Sequence, residues 1–366
     1  MKKLNAKCYI FLFVLIFILP SLVFGVFNDK IPFVNYEQRE LAQKPDLTVA
    51  AIAEYPSNYE NYYNDNLPFR TQLIETNTYL NYRIFRKSPV DQVIIGKDGW
   101  LFYDSAVKND GDTMADYYGK NFYSEANLKQ LAAHLVSVRD KLAKKGKEFV
   151  IFITQNKVSV YGQEFLPDSY ERGSGKTRAD QVVEYLKHNT DLRVVYSKDA
   201  IIPAKEKYPQ YDFYYKYDTH WNSLGAYMGA SLLLNELGIN TPDISTLSVE
   251  KQEAKSCDLA NMMGMTAILG SGENYVVKGL PISDEEVTVT QTEFISKRNI
   301  KGKKLFLIRD SYTTALAPYL YPHFSQCYMP HISAYSPEMI EKQNPDIVVY
   351  ETVERYIDGL FNFNVE

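Results

Sequence analysis

The apolar and polar residues of this chain follow different patterns in three successive parts. An uncharged apolar run covers residues 8–27, and residues 28–110 are polar and irregular with short helical stretches. From residue 111 onward, short apolar runs alternate with segments whose apolar residues recur every three or four positions. The predicted organisation is an export or anchor segment at 1–27 and one domain at 28–366, comprising an irregular part at 28–110 and an α/β core at 111–366.

The helices and strands of the core are predicted from this periodicity. A helix is expected between Ser124, a good N-cap residue, and Gly146, because five apolar side chains fall on one face. These are Leu128, Leu131, Leu135, Val138 and Leu142. Strands are predicted at 149–153, 193–196, 304–308, 327–329 and 346–350, and further helices at 177–188 and 223–237. Alternating strands and helices predict a three-layer α/β/α fold around a mainly parallel sheet, with sites at the carboxyl ends of the strands.

The apolar run at the N-terminus predicts the compartment. The run is preceded by three lysines, Lys2, Lys3 and Lys7. This charge pattern is typical of an exported or membrane-inserted chain whose positive end stays in the cytoplasm. The run is long enough to span a bilayer, and it is equally typical of a long signal peptide with the small residue Gly25 near a cleavage point. We therefore expect the rest of the chain to be extracytoplasmic, either membrane-anchored or secreted.

Composition narrows the class of function. The 366 residues carry a net charge of −5, with 40 Lys and Arg against 45 Asp and Glu, which argues against a nucleic-acid binder. Three cysteines are too few for a disulfide scaffold or a thiolate zinc cluster. Cys257 and Cys327 both lie in the predicted outer compartment, where they either form one bridge or remain thiols.

One of the five histidines stands in a motif that suggests catalysis. His220 follows Asp218 by two residues, in the sequence Asp-Thr-His-Trp just before the predicted helix at 223–237. A carboxylate at that spacing in a tight turn can orient an imidazole and stabilise its protonated form, as the acid of a nucleophilic triad does. The motif is equally compatible with an ordinary turn in which Asn222 caps the helix.

A candidate nucleophile follows the predicted strand at 304–308. Ser311 comes after Asp310 where this strand ends, so its hydroxyl is expected at the carboxyl edge of the sheet, where backbone amides can bind an oxyanion. The alternative is that Asp310 or Ser311 only caps the following helix. No further His, Asp or Glu cluster stands at ligand spacing in the sequence, so neither a metal nor another cofactor is predicted.

These motifs resemble those of the DHHW proteins, which are related to the SGNH-hydrolase-like proteins of alginate O-acetylation, of the AlgX and AlgJ type. The resemblance rests on residues 218–221, 310–312 and 344–351, with supporting matches at 98–103, 155–157 and 258–263, and covers about residues 60–355. The histidine motif precedes the serine, as in the alginate group. The resemblance implies an SGNH-hydrolase-like fold with Ser311 as nucleophile, His220 as base and Asp218 as orienting acid.

Residues beside this set are candidates for binding an oxyanion or the substrate. Arg309 stands where SGNH enzymes usually have the glycine of Gly-Asp-Ser, which changes the expected geometry of the oxyanion turn. Asn156 and Lys157 follow the predicted strand at 149–153, where they either supply polar groups to the site or form a surface loop. The full set of these candidates is Asn156, Lys157, Tyr217, Trp221, Arg309 and Tyr312.

The resemblance implies an exported serine O-acetyltransferase, or an acetyl esterase, that acts on a cell-surface or extracellular polysaccharide through an acetyl-serine intermediate. The expected partners are the polysaccharide, a membrane-bound acetyl-donor protein and, through the N-terminal segment, the membrane. No nucleic acid is expected. The alternative is a non-catalytic carbohydrate-binding or scaffold component of an envelope polysaccharide assembly complex, with a degenerate site.

Tyrosine is unusually frequent, with 30 copies against two tryptophans. Clusters of tyrosine precede the Asp218–His220 motif, at 208–217, and follow Ser311, at 319–328. An aromatic face with a polar tip suits a sugar ring. We therefore expect the tyrosines that flank 218–220 and 311 to line one groove, while most of the others pack under long loops.

Overall fold

Seven strands form the central sheet of the computed structural model, which describes residues 6–31, 33, 40–173, 175–254, 257–280 and 286–366. In chain order, the described strands are β1 (Val93–Ile95), β2 (Leu101–Tyr103), β3 (Glu148–Thr154), β4 (Val194–Tyr196), β5 (Ser248–Glu253), β6 (Glu273–Lys278), β7 (Glu286–Val289), β8 (Glu293–Lys297), β9 (Lys304–Ile308), β10 (Gln326–Pro330) and β11 (Ile347–Val353). The order in the central sheet is β4-β3-β11-β9-β10-β8-β7. The first five of these run parallel, whereas β8 and β7 are antiparallel additions, so the predicted mainly parallel sheet is confirmed.

The helices lie where the periodicity predicts them, with several additions. They are α1 (Ala6–Phe27), α2 (Tyr55–Asp65), α3 (Arg70–Leu80), α4 (Thr113–Tyr118), α5 (Glu125–Lys144), α6 (Lys157–Phe165), α7 (Arg178–Asn189), α8 (Lys198–Lys207), α9 (Ser223–Glu236), α10 (Asp258–Met262), α11 (Thr266–Leu269), α12 (Thr313–Leu320) and α13 (Glu338–Gln343). The Ser124 hydroxyl caps α5 by accepting the Asn127 N–H at 3.2 Å. Gly146 follows this helix with a φ of +71°, a conformation that favours glycine.

Two hydrophobic cores lie on the two faces of the sheet, which makes the fold a three-layer α/β/α sandwich. Along β3, Val150 and Phe152 contribute to one core, and Ile151 and Ile153 contribute to the other. Helices α6, α8, α9 and α12 supply apolar side chains to the first core, and α5, α7 and α13 supply them to the second. Because strands that are buried on both faces need apolar residues throughout, the continuous apolar runs of the sequence were a sound guide to this sheet.

The chain folds as two compact units, residues 1–89 with 261–268, and residues 90–260 with 269–366. The first unit contains α1, whose residues Cys8–Phe27 are long and apolar enough to cross a membrane, a criterion that a signal sequence also meets. Lys2 and Lys3, from the predicted charge pattern, lie outside the described residues. The second unit contains the central sheet, the β1–β2 hairpin and the antiparallel β5–β6 ribbon.

Candidate active site

Ser311 lies in the turn between β9 and α12, at the carboxyl edge of the sheet. The side chain of Asp310 holds this turn: Oδ1 accepts the Tyr312 N–H at 2.8 Å, and Oδ2 accepts the Val353 N–H at 2.7 Å. The Asp310 N–H in turn donates to the buried carboxyl of Glu351 at 2.9 Å. Asp310 is therefore a structural residue of the turn, and it leaves the Ser311 side chain exposed.

His220 lies in a loop that precedes α9 and reaches Ser311 from across the edge of the sheet. The Ser311 Oγ lies 2.8 Å from His220 Nε2, and His220 Nδ1 lies 2.7 Å from Asp218 Oδ1. Since a carboxylate only accepts, Nδ1 carries the proton and Nε2 accepts the Ser311 hydroxyl. Asp218 is fully buried, and its Oδ1 also accepts the His220 backbone N–H at 2.9 Å. The structure thus brings together the three residues of the candidate triad.

The surroundings of His220 act on its pKa in opposite directions. Burial lowers the pKa of the imidazole, but its hydrogen bond to Asp218 and the negative charges of Asp218 and Asp258 raise it more. The net direction is upward from its ordinary value of 6.5. A base with a raised pKa takes the serine proton more readily, and it is protonated over a wider range of pH.

Trp221 and Tyr312 connect the loop of His220 to the turn of Ser311. The Trp221 indole N–H donates to the Tyr312 carbonyl at 3.0 Å, and the Tyr312 hydroxyl donates to the Thr219 carbonyl at 2.9 Å. Both side chains are fully buried. Both were candidates for binding the oxyanion or the substrate, and the structure uses their polar groups to join two segments that lie far apart in the sequence.

Lys157 lies at the start of α6, directly behind the loop of His220. Its ammonium donates to three backbone carbonyls, those of Tyr215, Lys216 and Asp218, at 2.8, 2.9 and 2.9 Å. Burial lowers the pKa of Lys157 to about 7, against the raising effect of nearby carboxylates. Its hydrogen bonds go to the loop that carries Asp218, so the ammonium shapes that loop from behind.

The other three candidates also form contacts within the protein, Asn156 and Arg309 through their side chains and Tyr217 through its backbone. Asn156 is buried, and its Oδ1 accepts from the Arg355 guanidinium at 3.2 Å. Arg309 is buried with its guanidinium 3.7 Å from the centre of the Phe294 ring, and it donates to the Gln291 carbonyl at 3.0 Å. The Tyr217 carbonyl accepts the N–H groups of the first turn of α10, from Leu259 and Ala260, at 3.2 Å each.

Comparison with known families matches this chain to one of them. The family described as "SGNH hydrolase-like domain, acetyltransferase AlgX" matches residues 93–317, which is more than half of the chain. The chain belongs to this AlgX-type SGNH hydrolase-like family. A curated relative is the "Probable alginate O-acetylase AlgJ" of Pseudomonas syringae pv. tomato, 25% identical to this chain over 178 residues. The match spans 48% of this chain and 40% of that relative's length.

Solved structures share the fold of this AlgX-type chain at low sequence identity. A DHHW family protein from Eubacterium siraeum aligns with a TM-score of 0.51 and 17% identity, over 75% of this chain and 99% of its own. PatB1 of Bacillus cereus aligns with a TM-score of 0.52 and 14% identity, over 73% and 98% respectively. The predicted family and the SGNH-hydrolase-like fold are therefore confirmed.

An open cleft of about 630 Å³ surrounds Ser311 and His220 in this AlgX-type site. Its walls come from the loop of His220, from α12 and from the β5–β6 ribbon, and three tyrosines line it: Tyr215, Tyr312 and Tyr319. Other tyrosines of the same sequence clusters lie elsewhere, since Tyr214 and Tyr321 are buried in the first core and Tyr328 is buried in the second. The cleft thus contains tyrosines from the segments on both sides of the motifs, as expected, but other tyrosines of those segments pack in the cores.

Asp258 is a polar neighbour of His220 to which the sequence reasoning gave no role. Its Oδ1 accepts the Thr219 N–H at 2.8 Å and its Oδ2 accepts the Thr219 hydroxyl at 2.5 Å. Asp218, His220 and Asp258 bring ligand-type atoms within 4.8 Å of one another. These atoms are engaged with one another and with Thr219, so the geometry is that of a hydrogen-bond network and does not present an open set of metal ligands.

Proposed function

We propose that this chain is a serine-dependent O-acetyltransferase, or an acetyl esterase, that acts on a polysaccharide through an acetyl-serine intermediate. The observation that carries the proposal is the hydrogen-bonded series Ser311, His220 and Asp218, with separations of 2.8 and 2.7 Å. The AlgX description of the family and the name of the AlgJ relative support an acetyl group as the group transferred and a polysaccharide as its acceptor.

The proposed reaction has two half-reactions. His220 Nε2 takes the Ser311 proton while Oγ attacks the carbonyl carbon of the acetyl donor; His220 then protonates the donor oxygen, which leaves. In the second half, His220 takes a proton from a sugar hydroxyl, whose oxygen attacks the acetyl carbonyl of acetyl-Ser311; the ester bond to Ser311 breaks, and His220 returns the proton to Oγ. Water in place of the sugar gives acetate, the esterase outcome. Asp218 keeps the imidazole in one tautomer and stabilises its charged form.

We assign the binding of the tetrahedral oxyanion to the backbone N–H of Ser311, in the turn before α12. Two charged side chains that the sequence suggested for this role are directed elsewhere. The Lys157 ammonium donates to backbone carbonyls, and the Arg309 guanidinium stacks on Phe294. The carboxylate of Asp310 holds the turn that contains Ser311, and it therefore helps to position this N–H in the proposed mechanism.

A non-catalytic role is the alternative to this proposal. It predicts a Ser311–His220 separation beyond hydrogen-bond reach, whereas the observed 2.8 Å is the distance of a formed hydrogen bond. Arg309, whose presence in place of a glycine suggested a degenerate site, lies with its guanidinium against Phe294. These two observations support the catalytic proposal over a binding role alone.

We also propose that the site works outside the cytoplasm, with α1 as membrane anchor or signal peptide. The length and apolar composition of Cys8–Phe27 support this. A soluble acetyl donor would have to be exported, so a membrane-bound protein that hands acetyl groups across is the donor that fits this location. The partner of the chain is thus proposed to be an integral membrane acetyl carrier.

The proposed intermediate can be trapped directly. The full chain is incubated with an aryl acetate, quenched in acid and digested, and the Ser311 peptide is examined by mass spectrometry for an added acetyl group. Alginate oligosaccharides, chosen from the name of the AlgJ relative, are then added to a parallel reaction. Acetylated sugar formed at the expense of acetate identifies a transferase, and acetate alone an esterase. Absence of both acetyl-Ser311 and acetate release above buffer would overturn the proposal.

The raised pKa of His220 predicts how activity depends on pH. Only the neutral imidazole can accept the Ser311 proton, so kcat/KM should rise with pH through a midpoint above 6.5. Asp218→Asn removes a hydrogen bond and a charge that raise this pKa, so its midpoint should fall by about one pH unit or more, with a lower rate throughout. The measurement is a pH–rate profile with an aryl acetate. A midpoint that stays the same in Asp218→Asn would contradict the prediction.

A further inference from the structure

Asp258 adds a second carboxylate to the surroundings of His220. It begins α10, in a part of the sequence well separated from both the histidine motif and the serine. Its backbone N–H donates to Asp218 Oδ2 at 2.9 Å, which occupies the oxygen of Asp218 that does not face His220. The residue thus contacts the orienting acid of the candidate triad through its main chain and Thr219 through its side chain.

The side chain of Asp258 clamps the middle of the Asp218–His220 turn. Both of its oxygens accept from Thr219, Oδ1 from the backbone N–H and Oδ2 from the hydroxyl. The same Thr219 hydroxyl lies 3.2 Å from His220 Nδ1, and Asp258 Oδ2 itself lies 3.7 Å from that nitrogen. A charge so near the imidazole favours its protonated form, the form that arises when Ser311 loses its proton.

The ionised form of Asp258 fits this set of contacts. Burial and the charge of Asp218 raise the pKa of Asp258, while the nearby His220 and the two Thr219 donors lower it in part. The other charged and aromatic groups that act on the imidazole are Arg355, whose charge lowers the pKa of His220, and Tyr312, whose ring centre lies 4.9 Å from that of the imidazole. Lys157 lies behind the loop; burial lowers its pKa, and the charges of Asp218 and Asp258 raise it in part.

We propose that Asp258 is a positioning residue of the acyl-transfer site: it holds the Asp218–His220 turn through Thr219, and its charge stabilises the imidazolium during each proton transfer. This inference rests on the proposed function, since it assigns Asp258 a part in the same reaction. It extends the candidate triad to a group of four, in which two carboxylates share one imidazole. One of them, Asp218, bonds Nδ1 directly, and the other acts from 3.7 Å.

The test is the near-isosteric substitution Asp258→Asn. The amide oxygen can still accept the Thr219 N–H, so the turn keeps its shape while the charge is lost. We expect kcat for aryl acetate hydrolysis to fall about tenfold with KM unchanged, and the acid limb of the pH–rate profile to move about one pH unit lower. Glu341→Gln, on the exposed side of α13 at the opposite face of the sheet, removes the same charge away from the cleft and should change neither quantity.

A second measurement separates this inference from the proposed function. Histidine labelled with ¹³C is titrated by NMR in the full Ser311→Ala chain, with and without Asp258→Asn, so that the His220 pKa is read without any turnover. A lower His220 pKa in Asp258→Asn supports the inference even if the chain proves inactive on every acetyl donor. If Asp258→Asn leaves both the His220 pKa and the acid limb of the pH–rate profile unchanged, the inference about Asp258 is overturned, whatever the loss of rate or thermal stability.

Discussion

Replacing Ser311 by alanine should lower the rate of acetyl release from an aryl acetate by roughly a thousandfold or more. The reason is that Ser311 supplies the only oxygen that His220 Nε2 contacts among the described hydrogen bonds, at 2.8 Å, and no acetyl-enzyme can form without it. The Ser311 side chain is exposed, so the variant should fold as the parent does. KM should change little, since alanine removes a group that reacts and leaves the walls of the cleft intact.

The chain offers a closely matched control for this substitution. Ser333 also bonds a histidine ring, with its Oγ 2.7 Å from His331 Nδ1, and it too lies on the surface. None of the described hydrogen bonds joins that imidazole to a carboxylate, so the pair lacks an orienting acid. Ser333→Ala should therefore retain full activity. If Ser311→Ala kept more than about a tenth of the parent rate, Ser311 would not be the nucleophile.

Replacing Lys157 by methionine should destabilise the fold by about 3 kcal/mol and reduce activity as well. Methionine has a similar length and no donor, so the carbonyls of Tyr215, Lys216 and Asp218 would lose the ammonium that binds them in the interior. The loop they belong to carries Asp218, and its displacement should weaken the Asp218–His220 contact. Chemical denaturation monitored by tryptophan fluorescence gives the stability, and aryl acetate turnover gives the activity.

A second lysine provides the comparison for Lys157. Like the Lys157 ammonium, which lies 5.2 Å from the centre of the Trp100 ring, the Lys205 ammonium lies over an aromatic ring, 4.6 Å from the centre of Tyr161. Its ion pair with Glu164, however, is partly exposed to solvent. Lys205→Met should cost at most about 1 kcal/mol and leave turnover unchanged. Equal losses of stability in the two variants would mean that the three buried carbonyls do not depend on Lys157.

The parts of the fold that the sequence predicts best are those whose pattern is local. Helix α5 and the strands β3, β9 and β11 carry their periodicity within a few residues, and their bounds agree with prediction to within a few positions. The approach of Ser311 to His220 was predictable by a different route. A serine after a buried parallel strand stands at the carboxyl edge of the sheet, and the Asp-x-His pattern specifies the partner it needs.

Other features depend on contacts that no local pattern records. Lysine is normally exposed, so nothing in the sequence around Lys157 indicates that its ammonium is buried beneath the loop of His220. Strand β5 of the β5–β6 ribbon was hard to predict for another reason. It is mostly exposed, so its sequence does not show the alternation that marks a strand with one buried face. Asp258 could have been noticed only as part of the 258–263 match, because its contacts to Thr219 and Asp218 arise from tertiary structure.

The position of Arg309 illustrates a limit of motif comparison. Arg309 stands in place of the glycine of Gly-Asp-Ser, and this difference suggested an altered oxyanion turn because the glycine is counted as part of that turn. In the fold, Arg309 directly follows β9, and its backbone forms a parallel β-bridge with His331. Its guanidinium lies over the Phe294 ring and donates to the Gln291 carbonyl. The turn itself is held by Asp310, which the motif retains.

The bond between the Trp221 indole and the Tyr312 carbonyl has a consequence for how such a site can diversify. The reacting pair is fastened to the central sheet and to α9 and α12, whereas Gln252 and Val276 on one wall of the cleft belong to the β5–β6 ribbon, which is a different sheet. Substitutions at Gln252 and Val276 should therefore reshape the opening of the cleft while the distance between Ser311 and His220 stays the same. Under the proposed function, variation at this wall would adapt one acyl-transfer centre to different glycans.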